Sequence, residues 1–164
     1  MIRALPVPTL VTETVRTLEL RADEMDALDA LNPSGQRLAD LVQAGTLAVV
    51  DFQEEPIDEA ALFIDYAAAI GDDGEAASLA IAATRGYAVA TDDKRARSFA
   101  RREVSHVPLV YTLDIVRKWE GDAAIPPEIL GRVLADIEQE GSYRPGRSHP
   151  SFAWWLAARN SAGQ

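Results

Sequence analysis

The sequence predicts an α/β protein, a three-layer α/β/α sandwich built on a mainly parallel sheet. Three observations carry this. "TLAVVDF" (46–52), "YAVAT" (87–91) and "VPLVY" (107–111) are short, β-branched apolar runs closed off by glycine or polar turns, which is how buried strands read. Stretches with helical periodicity lie between them. Strands alternating with helices of that length pair in parallel through crossover connections.

Taken in order, "RALPVP" (3–8) is apolar with two prolines and suits an edge strand or an extended entry. Residues 9–30 read as a helix, with Thr9 or Thr12 as its cap and charges interleaved with leucines. "NPSGQ" (32–36) breaks it, and Ser34 caps a helix through Ala44 that stops at Gly45. The strand 46–52 follows. Pro56 then opens a helix through "IDEAALFIDYAAAI", because proline fits a first helical turn. "DDGEAASLAIAATRG" is a further helix with an acidic start and a glycine stop at Gly86. The strand 87–91 leads into the basic helix "DKRARSFARRE", and the strand 107–111 into a helix from Thr112 to Glu120. "PPEILGRVLADIEQE" (126–140) is the last helix of the expected main domain, residues 1–140.

The tail, residues 141–164, changes character: glycine, proline and arginine come first, then Phe152, Trp154 and Trp155 close together. Two of the three tryptophans in one end segment mark it as a docking tail, seated on its own domain or on a partner.

Composition narrows the function. The 164 residues suit one domain with a full core, and 48% hydrophobic with 26% charged residues is an ordinary globular balance. There is no cysteine, hence no disulfide, thiolate nucleophile or thiolate metal site. No apolar run spans a bilayer and "MIRALPVPTLVTE" lacks a signal peptide's apolar stretch, so the expectation is a cytoplasmic protein without a membrane. A net charge of -10 and a pI of about 4.6 oppose broad polyanion binding. Any nucleic-acid contact therefore needs a local patch. One exists, since Lys94, Arg95, Arg97, Arg101 and Arg102 hold five of the sixteen basic residues. Helical spacing puts Lys94, Arg97 and Arg101 on one side. They form either a solvated face or a seat for phosphates.

That patch adjoins the acids. "GDDGE" (71–75) and Asp92-Asp93 bracket an apolar helix and strand. Each acid alone is explained by helix ends: Glu75 by the macrodipole, Asp92 or Asp93 by N-capping. Brought together, the same carboxylates could hold a hard cation, Mg²⁺ or Mn²⁺, which takes oxygen ligands and keeps several waters. A bound water made more acidic attacks a phosphodiester while the ion neutralises the phosphoryl oxygens. Other chemistries find no support. His106 and His149 lack zinc spacing, Ser78 has no nucleophile elbow, and Gly71 and Gly74 form no phosphate-binding loop. Asp65 and Glu54-Glu55 read as solvated faces.

"GDDGEAASLAIAATRGYAVATDDKRARSFA" resembles the second half of PIN-domain (PilT N-terminus) nucleases, which pair a Gly-Glu-Ala helix start with Thr-Asp-Asp-(Arg/Lys) after a strand. "SGQRLADLVQAGTLAVVDF" and "VPLVYTLDIV" extend the likeness over roughly residues 8–120. The resemblance implies a PIN-like, Mg²⁺-dependent endoribonuclease acting on RNA, of the kind that serves as a toxin beside an antitoxin protein, with a homodimer as the assembly. It implies Glu75, Asp92 and Asp93 as catalytic metal ligands, Glu13 (or Glu19) as a further ligand, and Lys94, Arg95 and Arg97 as phosphate contacts. The family's first strand and its aspartate have no counterpart in "MIRALPV". The expectations are therefore a weakened nuclease, a catalytically inactive PIN-like scaffold, or an upstream segment that restores the acid.

Overall fold

A computed structural model describes residues 9–12, 14–15, 39–139 and 141–161. The strands are β1 (Thr9–Thr12), β2 (Leu47–Val50), β3 (Val89–Ala90) and β4 (Leu109–Val110). The helices are α1 (Glu59–Ile70), α2 (Asp73–Arg85), α3 (Lys94–Glu103), α4 (Thr112–Ala123), α5 (Pro127–Gln139) and α6 (Phe152–Ser161), with residues 39–43 also helical. Among the described residues none of these helices is long and apolar enough to cross a membrane.

The chain is mixed α/β, and its strands pair in parallel as two small sheets, β1 with β2 and β3 with β4. One expectation is corrected. Residues 9–12 form a strand, not the start of a helix, with Thr9 opposite Leu47 and Thr12 opposite Val50. "TLVT" is half β-branched-hydroxyl and follows a proline pair, and its ladder partner "LAVV" lies far along the chain. Local periodicity does not report a partner at that distance. The expected strand 3–8 and most of the expected helix 9–30 lie outside the described residues.

Two compact units divide at Val110/Tyr111. In the first, α1 and α2 form an antiparallel hairpin whose turn is Gly71, at φ 77°, a left-handed conformation that glycine adopts without strain. Asp58 caps α1 and Asp72 caps α2, each accepting a backbone N–H. Pro56 thus sits in the turn before α1 rather than inside the helix. Alanines dominate α2, and Ala76, Ala77, Leu79, Ala80, Ile81 and Ala82 are all buried. The small size of the alanines lets the helix approach its neighbours closely. Ala76, Leu79 and Ala82 join Ile70, Val89, Phe99, Val104 and Val107 in the main core, and α2 touches both β1 and β3.

An ion pair closes the open end of this hairpin. Glu59, in the first turn of α1, is only 2% exposed. Its carboxylate accepts from Arg85 Nε at 2.9 Å, from Gln53 N–H at 2.8 Å and from the Thr84 hydroxyl. Arg85 also donates to the Asp51 carbonyl, so both helices are tied to the loop after β2. Burial pushes the Glu59 carboxyl upward, but the bonds from Arg85, Thr84 and Gln53 outweigh it and hold it below the ordinary value of 4.5.

In the second unit the tail docks on its own chain. Trp155 is buried against Leu113, Val116, Leu130 and Leu134, and Trp154 Nε1 donates to Glu120 at 3.0 Å. The indole rings therefore fill the core between α4, α5 and α6.

A folded pKa below the unfolded one stabilises the protein above about pH 4.5, and that contribution disappears as pH falls through the lowered folded value. Glu59→Ala should remove this acid-sensitive component and cost about 3 kcal/mol in urea unfolding at pH 7, because it strands Arg85. A loss under about 1 kcal/mol would show that the pair does not hold the hairpin.

Candidate functional site

Both acid clusters end up at one place. The capping of α2 by Asp72 sets Glu75 in the first turn, half-buried, facing the end of β3. There the Thr91 hydroxyl donates to Glu75 Oε1 at 2.7 Å. Thr91 Oγ1 in turn accepts the Asp93 N–H at 3.0 Å. One hydroxyl therefore links the start of α2 to the Asp92-Asp93 turn. Thr91 is 4% exposed, and its N–H continues the ladder to the Val110 carbonyl. This is the residue that the sequence reading passed over. Its signal was a threonine at a strand's carboxyl end directly before two acids, where a hydroxyl can organise the turn.

The acids are not equivalent. Asp93 is exposed, and its Oδ1 accepts the Ala96 N–H at 2.7 Å as the N-cap of α3. Capping thus accounts for Asp93. Asp92 is half-buried and lies between Thr91 and that cap. Glu13, expected as a further ligand, and its alternative Glu19 lie outside the described residues.

The basic residues also separate. Arg97, expected to contact phosphate, is 6% exposed. Its Nη1 donates to the Thr91 carbonyl at 2.7 Å and to the Val110 carbonyl at 3.2 Å. It clamps together the carboxyl ends of β3 and β4, so in this structure it is a scaffold residue beneath the site. Lys94, Arg95, Arg101 and Arg102 are exposed on α3. Arg95 leans towards the acids: a methyl group added at Gly71, next to Asp72, would lie 3.7 Å from its Nη1. Arg102 is turned to its neighbour Glu103.

No family model, characterised protein or solved structure matches this chain. The site therefore has to be read from its own chemistry. It offers half-buried Glu75 and Asp92, a buried Thr91 hydroxyl that ties the Glu75 carboxylate to the Asp93 N–H, and exposed cations at the start of α3. Carboxylates so placed can orient a water and accept its proton, and the cations can attract a phosphate. Divalent-ion chemistry, which the resemblance implies, asks for more. Among the described residues no three His, Cys, Asp or Glu side chains gather around a common point. The described acids alone do not form a cage for such an ion.

Arg97→Met should cost about 2–3 kcal/mol in denaturant unfolding, because a buried and a part-buried carbonyl lose a charged donor. Lys94→Met should change stability by less than about 0.5 kcal/mol. Equal, small effects would place Arg97 on the surface with Lys94.

Proposed function

We propose that the chain is a PIN-like ribonuclease whose acid site is assembled from Glu75 and Asp92. The observation that supports it is the Thr91 hydrogen bond to Glu75, which unites the two acid clusters at the carboxyl end of β3. In α/β folds that end of the strands is where sites form. In this reading both parallel strand pairs belong to a PIN-like three-layer sandwich backed by α2. Lys94 and Arg95 steer the RNA phosphate towards the acids, and Asp93 keeps α3 aimed at it. Arg97 holds the strand ends rigid. An antitoxin segment would act by covering this surface.

A second reading, a catalytically inactive PIN-like scaffold, is favoured by a separate observation. Asp93 caps α3 through the Ala96 N–H, and among the described residues no three acids gather around a common point.

An RNA cleavage assay with and without Mn²⁺ or Mg²⁺ separates the two. A ribonuclease shows metal-dependent cleavage that falls at least about a hundredfold in Asp92→Asn, with the thermal midpoint retained. A scaffold gives neither cleavage nor Mn²⁺ uptake at millimolar concentration, and that result would overturn the ribonuclease reading.

A further inference from the structure

The second unit carries an arginine cleft of its own. It is a shallow cavity of about 250 Å³ lined by Glu138, Arg144, Trp155, Leu156, Arg159 and Asn160, between the ends of α5 and α6. Its volume falls below the roughly 300–1,000 Å³ of sites for whole cofactors, so it suits a small group. The segment that supplies most of it, residues 141–161, contains Arg144, Arg147 and Arg159 and no Asp or Glu, in a chain of net charge -10.

Within the cleft two guanidiniums share one carboxylate. Arg159 Nη2 and Nε approach Glu138 Oε2 at 3.3 and 3.4 Å, and Arg144 Nε lies 3.8 Å from Oε1. Well-formed bonds of this type measure about 2.7–2.9 Å, so Glu138 occupies both arginines loosely. Arg144 lies over the Trp155 ring, 5.4 Å from its centroid, with its side chain 66% exposed. The fork is therefore preorganised by the ring while its donors remain accessible. The carbonyl ends of α5 and α6 also attract cations, which gives Arg159, in the last turn of α6, a structural role. Arg144 belongs to neither helix, and that role does not explain its placement.

We infer that this cleft is a phosphate site, in which Arg144 and Arg159 grip one phosphate group and Glu138 is the internal competitor that the phosphate displaces. Two forked cations against one carboxylate leave a charge of +1, which a phosphodiester or a singly charged phosphate neutralises. The phosphate comes either free or on a nucleotide chain. The inference stands apart from the ribonuclease reading, because all six residues lie beyond the first unit.

The test is titration of the full chain with inorganic phosphate and, separately, with a 5′-phosphorylated trinucleotide, followed by the Trp155 indole N–H resonance in a ¹H–¹⁵N spectrum. A saturable shift with phosphate alone identifies the free group as sufficient; a shift only with the trinucleotide identifies the chain-borne phosphate. Arg144→Gln should weaken binding at least about tenfold, and Glu138→Gln should tighten it several-fold by removing the competitor. Arg147→Gln, an equal charge change outside the cleft, should leave it unaltered. No saturable shift with either ligand, weaker binding in Glu138→Gln, or an equal loss in Arg147→Gln would overturn the inference.

Discussion

The arrangement of the first unit depends on one hydroxyl. Thr91 is buried at the end of a strand, where its oxygen must both donate and accept to be satisfied. It donates to Glu75 and accepts from the Asp93 N–H. Those two bonds bring a carboxylate from one helix against the turn that starts another. Without them the acids at 72–75 and 92–93 would be separate helix caps with no common chemistry.

The helix that presents Glu75 is fixed at both ends by carboxylates. At its start Glu75 meets Thr91. At its finish, ten residues and about 15 Å further along the helix, Arg85 meets the buried Glu59. The face between these points, alanines with Leu79 and Ile81, is buried against its neighbours, so α2 has little freedom to slide. Arg97 adds stiffness below, holding the ends of β3 and β4 together through two backbone carbonyls. The turn carrying Asp92 therefore rests on a braced platform. This is the kind of preorganisation that a reacting site needs, and it is equally what a rigid binding surface needs.

Much of this was legible in the letters. The apolar runs gave β2, β3 and β4 near their observed places, the glycines at 45 and 86 marked helix ends, and an N-cap role was one of the readings offered for Asp93. The missed features all depend on partners distant in sequence. Residues 9–12 form a strand because β2 lies alongside, which "TLVTETVRTLEL" does not reveal locally. Helical spacing grouped Arg97 with Lys94 and Arg101, yet its guanidinium turns inward to carbonyls six and thirteen residues away. Glu59 drew no attention in the sequence, because its partner Arg85 lies 26 residues on. Periodicity tells which face a residue occupies and says nothing of which buried polar group waits there.

The most direct test is a double-mutant cycle on Thr91→Val and Glu75→Ala, read as unfolding free energy in urea. A hydrogen bond shared between the acid clusters requires the two changes to be coupled by about 1 kcal/mol or more. Additivity to within about 0.3 kcal/mol would contradict it, leaving Glu75 and the Asp92-Asp93 turn as independent helix ends.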